Sequence, residues 1–148
     1  MIRAMVAFLI RRFSRALNAP VRLTDAKGEP RGNAWLGEYG EQVAASFLRS
    51  KGCRILARNF RAPRGGEVDV IAADGRLLLF VEVKTRKFDS MIRPLDAVDR
   101  TKQALIERGA NAWLRKLGTR EIPWRFDVIE ILVQNGKKPE VRHIRDAF

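Results

Sequence analysis

The sequence predicts an α/β domain in the order α-β-β-β-α-β-β, a mixed central sheet flanked by helices, and three observations predict it. Two segments, Asn33–Lys51 and Asp96–Leu117, carry apolar residues at helical spacing. Between and after them lie short β-branched runs, two of them joined by Asp74-Gly75, the strongest hairpin signal in the chain. The length of 148 residues, 46% of them hydrophobic, suits one domain with a sizeable core.

The segment Met1–Gly32 differs from the remainder of the chain. Its apolar run Ala4–Ile10, ahead of Arg11-Arg12, is too short to span a bilayer, and no A-x-A cleavage pattern lies close behind it. It reads as a basic amphipathic helix over Met1–Leu17, then a linker, Asn18–Arg31, punctuated by Pro20, Gly28 and Pro30. A loose extension is favoured for it over a membrane-surface or nucleic-acid arm. The folded domain is placed at 33–148.

Asn33 is positioned to cap the first helix, whose apolar stripe is Leu36, Tyr39, Val43, Phe47 and Leu48 and which Gly52 ends. Cys53–Phe60 reads as a strand and Ala62–Gly66 as a loop. Glu67–Ala72 and Leu77–Val83 form the hairpin. Arg86–Pro94 reads as a mobile loop, and the second helix turns Val98, Leu105, Ile106, Ala112 and Trp113 inward. Arg125–Val133 is a further strand and Val141–Ile144 an edge strand.

The hairpin register decides the chemistry. A two-residue Asp74-Gly75 turn pairs Asp69 with Phe80, placing Phe80, Glu82 and Lys84 on the face of Asp69. Asp69 and Glu82 then lie diagonally across the pair, roughly 7–8 Å apart in the backbone. One residue of slip separates their faces. Leu77–Val83 is too apolar for an exposed strand, so Glu82 and Lys84 emerge at the end of a buried one. Two carboxylates gathered there repel, and a hard divalent cation, Mg²⁺ or Mn²⁺, resolves the conflict. Lys84 supplies positive charge toward a scissile phosphate. Glu38 lies opposite the first helix's apolar stripe and reads as solvated; Glu41, on the flank beside Gly37 and Ala44, stands evenly between a site role and a solvated one.

The basic excess surrounds these carboxylates. Lys and Arg number 29 against 17 Asp and Glu, a formal charge of +12. Met1–Gly32 holds seven basic and two acidic residues, a net of +5, which leaves +7 for the remainder. No acidic residue falls between Glu41 and Glu67, whereas Arg49, Lys51, Arg54, Arg58, Arg61 and Arg64 do. Lys84, Arg86, Lys87 and Arg93 lie on the other side. Such a ring suits a phosphodiester. A single Cys53 excludes an internal disulfide and His143 alone cannot furnish a zinc-finger ligand set, which favours a reducing, cytoplasmic compartment. Cys53 reads as a small core residue, Asp127 as a cap or the partner of a core Arg, and His143 as a surface residue. The three Trp residues read as core cover, with Trp124 beside Arg125 open to stacking on a base.

Gly37-Glu38-Tyr39-Gly40-Glu41, Gly66–Ala72, Phe80–Arg86, Lys102, Arg125–Val128 and the terminal Asp146-Ala147-Phe148 together resemble the YraN family of small bacterial proteins, over about residues 33–148. That family is similar to the restriction-endonuclease-like superfamily, whose nuclease core is shared with archaeal Holliday-junction resolvases. The resemblance implies Asp69 and Glu82 as metal ligands, with the Val83 carbonyl, and Lys84 as the catalytic lysine. It implies Glu41 as the helical acidic residue of a G-x-x-x-E motif beginning at Gly37, and Lys102 and Gln103 as polar contacts from the second helix. Val68 stands where related nucleases have Pro, and no Tyr lies four residues after Gln103.

The expectation is therefore a nuclease using Mg²⁺ or Mn²⁺, with Glu41, Asp69, Glu82 and Lys84 catalytic and Asp69, Glu82, Val83 and Glu41 around the metal. Arg58, Arg61, Arg64, Arg86, Lys102 and Gln103 would touch nucleic acid, DNA ahead of RNA, with branched DNA the first substrate to try. The rival reading is a non-catalytic nucleic-acid-binding module of the same fold, and a third is peripheral membrane attachment through Met1–Leu17. Stable membrane insertion is not expected, and a homodimer is left open.

Overall fold

A computed structural model of the protein describes residues 16–88 and 98–148. The expected helix over Met1–Leu17 and the loop over Arg86–Pro94 lie largely outside those residues. The described elements are α1 (Asn33–Ser50), β1 (Arg54–Arg61), β2 (Glu67–Asp74), β3 (Leu77–Lys87), α2 (Arg100–Leu117), β4 (Trp124–Val133) and β5 (Glu140–Ile144). The order is the expected one.

The strands form one mixed sheet in the order β1-β2-β3-β4-β5. All neighbours are antiparallel except β3 and β4, which α2 connects in parallel. Alternation along each strand sends one set of side chains to each face. Val70, Ala72, Leu79, Val81, Ile129 and Ile131 meet Leu36, Val43, Ala44 and Leu48 of α1. Ile71, Ala73, Leu78, Phe80 and Val128 meet Ile106, Ala110 and Leu114 of α2. Strands β2, β3 and β4 are covered on both sides, as their near-continuous apolar runs require.

Several boundaries differ from the sequence expectation. Gly32, not Asn33, is the N-cap of α1 and makes no side-chain capping bond, so Asn33 is the first helical residue. The second helix begins at Arg100 because the Asp99 side chain accepts a hydrogen bond from the Lys102 amide, a stronger start signal than Asp96. Strand β3 runs on to Lys87, paired with β4 through Lys87↔Val133, so Glu82 and Lys84 sit within the strand rather than at its end. Residues 18–31, expected as a free linker, are tied to the domain. Val21 is buried, its amide donates to the Lys137 carbonyl, its carbonyl accepts from Gly136, and the Leu23 amide donates to Asn135 Oδ1.

Candidate active site

The hairpin turn is one residue later than expected. Asp74 pairs with Leu77, so Gly75 and Arg76 make the turn, with Gly75 at φ +58°. The register runs Ile71↔Phe80 and Val70↔Val81. This shift of two positions in the partner preserves the faces, since the side-chain period is two, and moves Asp69 from opposite Phe80 to opposite Glu82. The hydrogen-bonded pairing of β2 with β3 ends at Val70↔Val81, so Asp69 stands where the two strands part.

A local irregularity makes that parting. In β2, Val70 faces α1, yet Val68 and Ile71 both face α2, so the alternation breaks at Asp69. In β1 the flanking pairs are Arg58↔Val70 and Phe60↔Val68, which place Asn59 beside Asp69. Asn59 has φ +50°, a left-handed conformation that Asn tolerates better than most residues. The Asn59 amide donates to Glu41 Oε2 at 2.8 Å, while Asp69 turns across to β3.

Asp69 Oδ2 accepts a hydrogen bond from the Val83 amide at 2.8 Å. That bond holds the Asp69 carboxylate beside the strand that carries Glu82. Burial, reinforced by Asp69 and partly offset by Lys102, pushes the Glu82 pKa up to about 8. Lys102 Nζ, from α2, lies 3.5 Å from Glu82 Oε2 and is hydrogen-bonded to Glu67. Burial works against the Lys102 charge, but Glu67, Glu82 and Asp69 outweigh it and raise its pKa. Glu67 is correspondingly held below the usual carboxylate range by the Lys102 hydrogen bond.

Glu41 reaches the same region from α1. Burial raises its pKa and the Asp69 charge adds to the rise, against the Asn59 hydrogen bond and Arg58, whose guanidinium lies 3.7 Å away. Glu41 thus bonds to β1 rather than closing on Asp69 and Glu82. Among the described residues no group of three or more His, Cys, Asp or Glu side chains is gathered to hold an ion. The pair Asp69–Glu82 nevertheless fits one: Glu82 Oε2 is buried and makes no hydrogen bond, the Lys102 ammonium standing off at 3.5 Å, and carboxylate oxygens are the ligands that Mg²⁺ and Mn²⁺ prefer.

Lys84 is half-buried on the Glu82 face, in register with Glu130 of β4. Glu130 is absent from the sequence expectation, yet it is a carboxylate only 2% exposed with Arg86 at 3.7 Å and Arg142 at 3.8 Å. A charged residue inside the apolar run Val128–Val133 is the signal that could have found it. Asn59 is absent too, because its role depends on a backbone angle rather than on pattern.

Of the expected nucleic-acid contacts, Arg61 and Arg64 are at the surface, Arg58 and Arg86 are drawn to Glu41 and Glu130, and Lys102 to Glu67 and Glu82. Gln103 donates to the Val98 carbonyl at 2.7 Å and so supports the start of α2. His143, expected at the surface, is only 11% exposed in its side chain and lies 2.7 Å from Asp127 Oδ2. Asp127, fully buried, takes Arg125 as its other side-chain partner and accepts from the Asp146 amide. That network, on the sheet face opposite Glu82, ties β5 and the C-terminal segment to β4. Cys53 is buried as expected, and Trp124 is 37% exposed at the start of β4.

A mixed five-stranded sheet with a helix on each face and an acidic pair where its central hairpin parts has the arrangement of a restriction-endonuclease-like α/β core. The chain belongs to the uncharacterised protein family UPF0102, whose model matches residues 40–131. Proteins of that family name from Trichlorobacter lovleyi and Rhodococcus jostii are 48% and 46% identical to it, covering 80% and 78% of this chain and 93% and 98% of the relatives. A third, from Geobacter sulfurreducens, is 46% identical over 78% of the chain and 90% of its own length. Among the described residues no helix is long and apolar enough to cross a membrane.

Proposed function

We propose that this protein is a Mg²⁺- or Mn²⁺-dependent nuclease that hydrolyses phosphodiester bonds, with structured or branched DNA as its first candidate substrate. The observation that carries the reading is the acidic pair Asp69 and Glu82 where the hairpin strands part, Asp69 fixed by the Val83 amide and Glu82 Oε2 buried without a hydrogen bond.

Asp69 and Glu82 would hold the ion together with the Val83 carbonyl. The bound cation would supply Lewis-acid stabilisation of the charge that develops on the phosphoryl oxygens. The Val83 amide fixes Asp69, so the carboxylate is oriented before any ligand arrives. Glu82 must give up its proton to take the ion, and Lys102 favours that loss by standing 3.5 Å from it. Lys84, two residues further on the same face, brings an ammonium toward the scissile phosphate. Glu41 acts through Asn59 and Arg58, holding the β1 kink beside Asp69, and is a positioning residue. Arg61 at the end of β1 and Arg64 in the loop before Glu67, both exposed, would contact the nucleic-acid backbone.

The test is cleavage of single-stranded, duplex, flap and four-way DNA by the purified protein with Mn²⁺. Asp69→Ala and Lys84→Ala should each abolish it, and cleavage surviving both changes removes the assigned site.

Two observations favour a second reading, a non-catalytic nucleic-acid-binding module. Lys102 already offsets the charge beside Glu82, and Glu41 is partnered by Asn59 and Arg58. Calorimetry separates the two: the module binds DNA or RNA with steep salt dependence and takes up no Mn²⁺.

A further inference from the structure

The loop Ala62–Gly66 and helix α2 enclose a cleft of about 560 Å³, and three arginines line it: Arg64 from the loop, Arg108 and Arg115 from the helix. Arg108, Asn111, Ala112 and Arg115 succeed one another at the i, i+3, i+4, i+7 spacing of a single helical face. Ala112, small and between the arginines, leaves the floor open. Among the described residues none of the three guanidiniums forms an ion pair or side-chain hydrogen bond. Three like charges facing one concavity without a carboxylate repel one another unless an anion joins them.

The walls of the cleft are fixed. A side chain on Gly66, at φ +145°, would lie 2.7 Å from the Gly109 backbone nitrogen, and one on Gly109 would lie 2.8 Å from Val68 Cγ2. Loop and helix therefore touch backbone to backbone at Gly66 and Gly109, one residue from Arg108. The loop is closed on itself by Ala62 donating to the Gly66 carbonyl at 2.8 Å and Gly65 donating to the Ala62 carbonyl at 3.2 Å. The backbone that carries Arg64 and Arg108 is thus fixed on opposite walls, and their exposed side chains extend from it. The Asn111 carbonyl oxygen accepts from Arg120, which turns its amide group toward donation.

Oxyanions of tetrahedral geometry match this arrangement, since a guanidinium fork pairs with phosphate oxygens bidentately. Position identifies the source. The loop runs straight into Glu67 and Asp69 of β2, and α2 carries Lys102 beside Glu82. At 1.5 Å per residue, Arg108 and Arg115 lie about 9 and 20 Å along the helix from Lys102. Both are turned about 120–140° around the helix axis from Lys102, so the cleft opens on the flank of α2 and a strand with a rise of 3.4 Å per nucleotide needs several nucleotides to reach it from the acidic pair.

We infer that the Arg64–Arg108–Arg115 cleft binds the backbone phosphate of a polynucleotide several nucleotides from the bond held at Asp69 and Glu82, an inference that rests on the nucleic-acid reading above. The cleft anchors the strand, and the acidic pair acts on it.

Binding of fluorescently labelled duplex and four-way DNA, measured by anisotropy in EDTA over a range of salt, tests this without any cleavage. Arg108→Gln with Arg115→Gln should weaken binding about tenfold or more near 0.15 M salt and reduce the log–log salt slope by about 1.8. Arg64→Gln alone, on a separate element, should reduce the slope by about 0.9. Arg54→Gln with Arg76→Gln, exposed residues at the far end of the sheet, removes the same charge and should leave the slope near wild type. Equal losses in the cleft and control variants, an unchanged slope in the cleft variants, or no DNA binding by the wild type overturns the inference. If wild-type protein binds through the cleft yet cuts nothing with Mn²⁺, the anchor stands and the nuclease reading falls; cleavage with a silent cleft means the reverse.

Discussion

The Asp69 carboxylate reaches across the hairpin to accept a hydrogen bond from the Val83 amide, the residue next to Glu82, at the point where the two strands cease to pair. Burial disfavours the Glu82 charge and the neighbouring Asp69 charge adds to the cost, which is why the Glu82 pKa reaches about 8. The pair is held by the fold in a state that a cation would relieve.

Binding of the ion should depend on pH. A divalent cation must displace the proton from Glu82, so the apparent Mn²⁺ affinity should rise by about tenfold per pH unit between pH 6 and 8 and level off above. Titration calorimetry in buffers of different ionisation enthalpy should record proton release below pH 8. A pH-independent affinity without proton release refutes it.

The same shift has a stability consequence for the metal-free protein. The folded pKa of Glu82 lies above its ordinary value of 4.5. Its proton therefore favours folding in full below that ordinary value, and the contribution is lost as pH rises through about 8. Glu82→Gln stays neutral, so its advantage over wild type in urea unfolding should widen from pH 6 to pH 9.

Removing Lys102 should act through Glu82. Lys102→Met deletes the ammonium 3.5 Å from Glu82 Oε2, which pushes the Glu82 pKa higher still and moves the pH profile of Mn²⁺ binding upward. Carboxyl carbon chemical shifts tracked against pH would report this directly. An unmoved Glu82 titration would mean that the ion pair does not tune the site.

Gly40 tests the packing of α1 on the sheet. Gly to Ala in a helix interior ordinarily stabilises by about 1 kcal/mol. Here the added methyl would overlap Thr85 Oγ1 of β3. Gly40→Ala should instead destabilise by about 1–3 kcal/mol, the usual cost of overpacking, seen as a lower urea midpoint. Thr85→Ala should recover part of the loss, and a stabilised Gly40→Ala protein would contradict the close approach.

Asp127 makes the protein sensitive to acid. Burial raises its pKa, but hydrogen bonds from His143, Arg125 and the Asp146 amide outweigh burial and hold it below its ordinary 3.8. Its stabilising contribution is present above the unfolded pKa and disappears as pH falls through the folded one. Asp127→Asn should cost about 3 kcal/mol at pH 7, where the buried pairing is strongest. The thermal-unfolding gap between the two proteins should close on acidification toward pH 2; a constant gap would assign the loss to packing.

Pattern carried much of the fold. Apolar periodicity placed two helices and five strands within a few residues of their positions, because burial of alternating or helical faces is what forms them. The acidic face was legible for a related reason: a hairpin slip of two positions leaves Asp69, Glu82 and Lys84 on the same side. The slip itself was not legible, since Asp74-Gly75 and Gly75-Arg76 both supply a residue tolerant of positive φ.

What the sequence determined by itself was the chemistry available: two carboxylates and a lysine at strand spacing, set within a basic chain belonging to one domain. Only the tertiary structure decided which groups meet. Asn59 turns left-handed beside Asp69 where β2 and β3 part, Lys102 arrives at Glu82 from another element, Glu41 is drawn to β1, and residues 18–31 dock on the β4–β5 turn. Each depends on a backbone angle or on a contact between residues distant in the chain, and local periodicity encodes neither.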